Sequence, residues 1–397
     1  MNSLERVLVR TLIVGGTLAL ALSPLAAQIT VTEAGKVVWP YHLAYQPGRN
    51  VVVGSSFGVN RVTRSDDLDT DLWQIDLNIP SDGSTPSGNL SSFSTLPRTR
   101  SGWWTCYPMA VQRNLPNGFQ RDEIFAFRRE FNSNTSSWTY YVARYSPDGS
   151  SVNTTWTNLS SLSDVRAWGM AMHIDHEGTW GHDILYVTER MSDYKVGRVF
   201  RIDSSGNATY VADLPEPPHP DFRYPYLGVP RALSVIPNDP TRFGSLAGHL
   251  IIAREGIYGT LSTNSGDVFL PGSPIYTVDP ITSSSTFHGY VPIRIGGIQK
   301  VTGTYLLLSD WGLNTVWKLH VPDLSNYIGE LVAVSTGSGY PGVTPAHVPG
   351  LYRLYYDGSN WQTQLLVDFT AYGIYAKDIS VTFVPEPATL TVLGMGL

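Results

Sequence analysis

A five-residue motif that recurs along the chain constrains the fold more than any other feature of the sequence. It consists of a basic residue or tyrosine, any residue, an apolar residue, a small residue and an apolar residue. The copies lie at residues 41–45, 107–111, 166–170, 231–235, 294–298 and 377–381, at intervals of 66, 59, 65, 63 and 83 residues. Self-similarity at near-regular spacing is typical of a repeat architecture.

Short apolar runs bounded by turn residues follow the first five copies of the motif, and such runs predict β-strands. They are Val51–Val53, Ile124–Phe127, Ile184–Val187, Leu250–Ala253 and Tyr305–Leu308. The third unit adds strands at 198–203 and 209–213, and a similar strand pair is expected at 351–356 and 365–369. Four antiparallel strands per unit indicate the blade of a β-propeller, in which the small residue of the motif lies nearest the crowded axis.

Six copies favour an all-β propeller of six blades, with five blades and an embellishment, or a pair of β-sandwiches, as the alternatives. The composition agrees with a turn-rich β protein, since 15% of the residues are charged against roughly 25% in ordinary soluble proteins. Little sequence follows Lys377, so the last blade is expected to combine both ends of the chain, with Ile29–Thr32 as its N-terminal strand.

The N-terminal segment has the pattern of a signal peptide. Arg6 and Arg10 precede a short apolar run from Thr11 to Leu22, and small residues follow at 23–27. The apolar run is shorter than the ~20 residues that a membrane-spanning helix needs. We therefore expect residues 1–27 to be removed by signal peptidase and residues 28–383 to form the exported propeller domain.

The last 14 residues, 384–397, contain Pro385-Glu386-Pro387 followed by an apolar stretch. This segment resembles the PEP-CTERM sorting signal of exosortase substrates, although ten residues follow Pro387 and none of them is arginine. The resemblance implies a Gram-negative, exopolysaccharide-producing source, processing by an exosortase-type enzyme with transient membrane contact, and delivery to the cell surface or extracellular matrix.

The ends of the strands predict a charged ring at one mouth of the central channel. If the motif opens the innermost strand, its basic residue meets the end of the following strand at the same face. The candidate ligand-binding residues of this ring are Arg166, Glu189, Arg190, Arg231, Arg254, Glu255, Arg294, Asp310, Trp311 and Lys377. Alternating acids and bases could recognise an anionic sugar, or they could pair with one another and hold the blades together.

Two other polar stretches contain residue types that bind metals. Asp67, Asp69 and Asp71 have the alternate spacing of a calcium loop, but the glycine and glutamate of an EF-hand are absent, and a solvated acidic loop is the other interpretation. His173, Asp175, His176, Glu177 and His182 match no zinc motif, and they are expected on a hairpin that faces away from the charged ring. Apart from calcium, no cofactor is expected.

The sequence excludes some classes of function and leaves others open. A net charge of −6 provides no basic stripe for a nucleic-acid backbone, and the single cysteine, Cys106, excludes an internal disulfide. No motif for a catalytic nucleophile or a P-loop is present. We expect a non-enzymatic propeller that binds glycan or another envelope component. A secreted enzyme of the lactonase, glycan-cleaving or quinone-dependent dehydrogenase type, and a purely structural matrix protein, are the alternatives.

Overall fold

The computed structural model describes residues 28–56, 72–94, 104–132, 134–135, 137–162, 165–190, 196–216, 230–263, 266–335, 343–374 and 380–384. In chain order, the strands of these residues are β1 (Thr30–Lys36), β2 (Pro40–Gln46), β3 (Val51–Ser56), β4 (Trp73–Asp76), β5 (Leu90–Ser92), β6 (Trp104–Ala110), β7 (Ile124–Asn132), β8 (Ser137–Tyr145), β9 (Val152–Asn158), β10 (Val165–Ile174), β11 (Ile184–Arg190), β12 (Gly197–Ile202), β13 (Ala208–Leu214), β14 (Pro230–Val235), β15 (Leu250–Arg254), β16 (Ile257–Thr263), β17 (Gly266–Val278), β18 (Ser285–Val291), β19 (Ile295–Lys300), β20 (Tyr305–Asp310), β21 (Thr315–His320), β22 (Leu331–Ser335), β23 (Val343–Pro345), β24 (Gly350–Tyr356), β25 (Trp361–Asp368) and β26 (Val381–Val384).

Helical structure is sparse in this part of the chain. It comprises the short α-helix α1 (Pro240–Phe243) and 3-10 helices at Leu159–Ser161, Gly244–Leu246, Pro322–Tyr327 and Phe369–Tyr372. No helix among the described residues has the length and apolarity that crossing a bilayer requires.

The strands form six blades, which confirms the predicted six-bladed β-propeller. From the axis outward, the blades are β2-β3-β4-β5, β6-β7-β8-β9, β10-β11-β12-β13, β14-β15-β17-β18, β19-β22-β24-β25 and β26-β20-β21-β1, and we number them one to six in this order. The innermost strands contact one another in a closed ring, because β26 of blade six also contacts β2 of blade one. Blades one and four therefore face each other across the central channel.

The repeated motif marks the innermost strands, as predicted. Its first five copies lie on or directly overlap β2, β6, β10, β14 and β19. The sixth copy, at 377–381, reaches β26 with Val381, and residues 375–379 lie outside the described residues.

The hydrophobic core lies between the blades rather than inside any one of them. Six apolar clusters of described residues each join two neighbouring blades; for example, Phe125 of β7 and Tyr186 of β11 belong to the cluster between blades two and three. A strand that is covered on both faces needs a continuous apolar sequence rather than an alternating one. This explains the second strands, of which β15 is buried at every position from Leu250 to Arg254.

Blade six closes the ring with strands from three separate parts of the chain. Its inner strand β26 comes from the C-terminal region, and its outer strand β1 comes from the N-terminal region, so the prediction that both ends share the last blade is confirmed. Thr30 pairs with His320, His320 pairs with Tyr305, and Tyr305 pairs with Val384. The start of β1 and the end of β26 therefore lie at the same end of the propeller.

One expectation from the sequence is wrong, namely that the run Tyr305–Leu308 is the second strand of the fifth unit. The run Tyr305–Leu308 follows the fifth motif, but as β20 it pairs with β26 and β21 of blade six instead of with β19. The chain leaves blade five at Val301 and returns at Glu330, where the Val301 N–H donates to the Glu330 carbonyl at 2.8 Å. This excursion accounts for the long interval between the fifth and sixth motifs.

Blade four is extended beyond the end of β15 by a small annex, in which β16 takes the place of β15 beside the first half of β17. The first half of the 13-residue strand β17 pairs with β16, and β16 in turn pairs with β23, which belongs to the connection inside blade five. The second half of β17 completes the blade between β15 and β18. The annex therefore connects blades four and five through backbone hydrogen bonds.

The closure of blade six predicts where an engineered disulfide can form. Thr32 of β1 lies opposite Lys318 of β21, so Thr32→Cys with Lys318→Cys, in a Cys106→Ala background, should oxidise within the molecule. Because the bond closes a long loop, we expect about 2–4 kcal/mol of added stability. Non-reducing peptide mapping and denaturant unfolding measure both effects.

The matched control pairs Thr32→Cys with Gln364→Cys on β25, the outer strand of blade five. It should form no intramolecular disulfide. An equal yield of bonded product from both pairs would contradict the assignment of β1 to blade six.

Candidate functional site

The central channel has two ends, which we call upper, where the inner strands begin, and lower, where they end. The predicted charged ring lies at the upper end. There, bulges of one residue interrupt the pairing of four inner strands close to the motif, at Pro40/Leu43, Cys106/Met109, Pro230/Ala232 and Ile295/Gly297, and a larger register shift lies at Arg166/Ala171 in blade three. A bulge leaves an extra residue unpaired and redirects its side chain.

Three of the predicted ring residues form a buried ion-pair triad. The Arg231 Nε atom lies 2.7 Å from Oε2 of Glu255, and Arg294 donates to Oε1 of the same carboxylate. The Glu255 side chain is only 2% exposed. Burial alone would raise the pKa of Glu255, but the charges and hydrogen bonds of Arg231 and Arg294 lower it to about 2.

A hydrogen bond and an aromatic contact extend this triad across the channel. Arg231 of blade four donates to the hydroxyl of Tyr41, which belongs to blade one on the opposite side. His42 lies beside Tyr107 of blade two, with 3.8 Å between ring centroids, and Tyr107 has the unusual φ of 55°. Burial and the nearby Arg231 charge hold the pKa of His42 well below its usual value. Blades one, two, four and five are thus joined at this level of the channel.

Two further ring residues, Glu189 and Arg254, are also buried, with 2% and 1% exposure. Arg254 donates to the Pro215 carbonyl, which also accepts a hydrogen bond from the Tyr276 hydroxyl at 2.9 Å. Burial lowers the pKa of Arg254, while the charges of Tyr276 and Glu189 oppose this effect. Arg254 and Tyr276 thus both bind the Pro215 carbonyl.

Asp310 and Trp311 lie where β20 ends and the turn to β21 begins. Oδ1 of Asp310 accepts the N–H groups of Gly312 at 3.0 Å and Leu313 at 3.2 Å. Trp311 packs against Trp39, with 5.6 Å between ring centroids. Both residues therefore have structural roles at the upper end.

The remaining predicted residues are described only in part or not at all. Arg166 pairs with Glu189 along the backbone of β10 and β11, but its side chain and that of Arg190 lie outside the described residues. Lys377, the candidate calcium ligands Asp67, Asp69 and Asp71, and the sorting residues Pro385, Glu386 and Pro387 also lie outside them. Where side chains are described, no group of three or more His, Cys, Asp or Glu residues is arranged to hold a metal ion.

The lower end of the channel contains a cavity of about 430 Å³. All six inner strands contribute to its wall, through residues such as Ala44, Ala110, Ile174, Ser234, Gln299 and Phe383. Ala44, Ala110 and Ser234 occupy the fourth position of the repeated motif. Small side chains at this position leave the space that larger ones would fill. A cavity of this size lies within the range of ordinary ligand pockets.

The first half of the polar stretch, His173–Glu177, lines one side of this cavity. Oδ1 of Asp175 accepts the N–H groups of Glu177 and Gly178, and Oδ2 accepts those of Trp180 and His182, so the carboxylate stabilises the hairpin. Lys300 of blade five forms an ion pair with Glu177, which reaches past blade four. The hairpin faces away from the charged ring, as expected, but it also borders the channel at the other end, which the sequence did not predict.

The two histidines of this wall are uncharged at neutral pH. Burial lowers the pKa of His173 to about 4, against the opposing charges of Asp175 and Glu177. Burial, together with the charges of His173 and Arg113, lowers the pKa of His176 to about 3. Nε2 of His176 accepts the Gln112 N–H at 3.0 Å, which fixes this ring against blade two.

Comparison with known proteins leaves this chain without an assigned family, since no family model and no curated protein matches it. Among solved structures, it is similar to an exo-β-1,3-galactanase from Phanerochaete chrysosporium, with a TM-score of 0.42, 8% identity, and coverage of 85% of this chain and 70% of that one. It is also similar to an α-L-arabinofuranosidase from Fusarium graminearum, with a TM-score of 0.43, 10% identity, and coverage of 84% and 85%. The blade assignment above rests on the strand pairing.

The buried triad predicts a large effect of removing its carboxylate. Glu255→Gln removes the buried carboxylate that binds Arg294, which is 6% exposed, and Arg231, which is 24% exposed, and should cost about 3–5 kcal/mol of unfolding free energy. The control Glu330→Gln breaks a more exposed pair, in which a 12% exposed carboxylate binds the single arginine Arg353, and should cost less than Glu255→Gln. Denaturant unfolding at pH 7 measures both variants.

Glu255 also makes the free energy of unfolding depend on pH. The folded-state pKa of Glu255, about 2, lies below the value of about 4.3 for an unfolded chain. Its contribution is therefore complete above about pH 4.3 and is lost as the pH falls towards 2. Unfolding measurements between these pH values should show a shallower loss for Glu255→Gln than for the wild type, and equal slopes would contradict the triad.

Proposed function

We propose that this protein is an exported β-propeller that binds a carbohydrate of the cell envelope or matrix in the cavity at the lower end of its channel. The observation that carries the proposal is the cavity itself, which lies on the axis, is bordered by all six inner strands and is about 430 Å³ in volume. At the upper end, Arg231 and Arg294 bind Glu255, and Arg254 binds a protein carbonyl, so these four charged groups already have partners within the protein.

The composition of the cavity wall suits a sugar. Gln299 and Thr382 present hydrogen-bonding groups, and Leu43 and Phe383 present apolar surface. Sugars combine hydroxyl groups with apolar C–H faces, so a ligand of this kind can use both types of surface. Ligand pockets in general join mostly apolar walls with a few polar groups that fix orientation.

Glycan cleavage is the second candidate, because the cavity wall includes the exposed carboxylate of Glu177. Most glycoside hydrolases use two carboxyl groups, one on each side of the scissile bond. Asp175 is the other carboxylate among the described residues of the wall, and four backbone N–H groups already bind its oxygens. The described geometry therefore favours binding over cleavage.

Blocking the cavity mouth should abolish binding. Thr302 lines the cavity and is exposed, so Thr302→Trp should fill the entrance without disturbing the core. We expect at least about a tenfold loss of affinity for oligosaccharides released from a bacterial exopolysaccharide, measured by calorimetry on the full chain.

The control is Thr155→Trp on β9, the exposed outer strand of blade two. It should bind as the wild type does. Equal affinity of the two variants would contradict the cavity as the binding site. Release of new reducing ends from the same oligosaccharides would favour the glycan-cleaving candidate.

The location is part of the proposal and depends on the two ends of the chain. Expressed in an exosortase-containing Gram-negative host, the full chain should appear in the surface or matrix fraction. Glu386→Ala changes the Pro-Glu-Pro triplet and should reduce that fraction at least several-fold, as measured by fractionation and immunoblotting. The control Gln364→Ala, at an exposed position of β25, should not. An unchanged distribution of Glu386→Ala would contradict the sorting function of the tail.

A further inference from the structure

Arg113 of the lower cavity wall carries a positive charge that forms no ion pair with a carboxylate of the described residues. It lies in the connection between β6 and β7 of blade two and is exposed. Its guanidinium donates to the His176 carbonyl of blade three and forms no other hydrogen bond to a described residue. A guanidinium has five N–H donors, so most of them remain available to a ligand. The contact with His176 holds the group at the wall in advance, which lowers the entropic cost of binding.

The two acidic side chains of the described wall have other partners. Asp175 is 0% exposed, and both of its carboxylate oxygens accept backbone N–H groups within the hairpin. Glu177 pairs with Lys300 of blade five through Oε1, and its Oε2 atom accepts the Asn238 N–H at 3.4 Å. The accessible charges of the described wall are therefore Arg113, Lys300 and Glu177, of which the last two neutralise each other. A positive charge at Arg113 remains for a ligand.

Three uncharged polar side chains line the cavity on other blades. They are His173 of blade three, Gln299 of blade five and Thr382 of blade six, all partly exposed. No side-chain hydrogen bond joins any of them to another described residue. Burial lowers the pKa of His173 to about 4, so its ring is neutral at pH 7 and has one donor and one acceptor nitrogen. Imidazole, amide and hydroxyl groups can all exchange hydrogen bonds with the hydroxyl groups of a sugar.

We infer that the cavity binds an acidic saccharide, a uronic acid or a short oligosaccharide that contains one, and that the guanidinium of Arg113 binds its carboxylate. The hydroxyl groups of the sugar then meet the uncharged polar groups of the other blades. This inference rests on the carbohydrate-binding function proposed above and names the class of sugar. A planar guanidinium can bind a carboxylate through two parallel N–H···O bonds, which adds geometric selectivity to affinity. Arg113 is thus the residue that determines the preference for an acidic sugar over its neutral counterpart.

The first test compares acidic with neutral sugars on the full chain. Glucuronic and galacturonic acids are measured against glucose and galactose, as methyl glycosides and as disaccharides, by calorimetry and ligand-observed NMR. We expect at least one uronic acid to bind about tenfold more tightly than its neutral counterpart, and the difference to shrink as salt is added, because Arg113 is exposed. Equal or tighter binding of the neutral sugars would overturn the inference while leaving carbohydrate binding intact. Binding of no sugar would overturn both.

The second test uses two arginines of the same connection between β6 and β7. The side chain of Arg121 is 50% exposed and does not belong to the cavity wall, so Arg121→Gln makes the same change in net charge as Arg113→Gln at a different place. Arg113→Gln should weaken binding of the preferred uronic acid about tenfold and leave binding of the neutral counterpart within about twofold. Arg121→Gln should leave both affinities unchanged.

Arg113→Lys separates charge from geometry at the same position. It keeps the positive charge but loses the planar fork, so we expect an affinity for the uronic acid between those of Arg113→Gln and the wild type. Equal affinities of Arg113→Gln and Arg121→Gln for the uronic acid would overturn the assignment of Arg113. So would an equal loss for the acidic and the neutral sugar in Arg113→Gln, because that result would show a role in the shape of the wall rather than in selectivity.

Discussion

Closure of the ring is the constraint on which the rest of this structure depends. The apolar cores lie between blades, so each blade is covered only when both neighbours are present. Blade six completes the circle without a covalent link, by placing β1 and β26 on either side of the hairpin β20–β21. Strand pairing between distant parts of the sequence is entropically expensive. The continuous apolar runs of the second strands offset that cost by burial on both faces.

The two ends of the channel differ in how the space between the inner strands is filled. At the upper end, bulged strands direct Tyr41, Tyr107 and Arg231 inward, and the Glu255 triad neutralises the charge there. At the lower end, the same strands present small residues, and space remains. Buried ion pairs are costly to desolvate and contribute little net stability. Here the ion pairs join blades four and five, and the Tyr41 hydrogen bond and the His42–Tyr107 contact extend the connection to blades one and two.

Much of the fold could be predicted from the sequence because the motif reflects a packing requirement of the inner strands. Ala44, Ala110 and Ser234 are small since the inner strands approach one another closely, and that requirement recurs in every blade. The exchange of β20 and β21 between blades five and six could not be predicted, because Tyr305–Leu308 has the same apolar pattern in either blade. For the site, Glu255 and its arginines were predicted to lie together, and they do. The lower cavity was not predicted, because most residues of its wall lie at strand ends and form no sequence motif. The small residue at the fourth position of the repeated motif was the one feature that could have indicated space there.

The start of β1 and the end of β26 lie at the same end of the propeller, and this fixes which end of the channel faces a C-terminal extension. β1 starts and β26 ends at the lower side, and Phe383, next to the last residue of β26, belongs to the cavity wall. A chain that continues past Val384 therefore departs from the rim of the cavity. If such an extension fastens the molecule to a surface, the cavity mouth points towards that surface and the charged end points outward. A ligand would then have to arrive through the gap between the propeller and its support, so the length of the tether would act as a size filter.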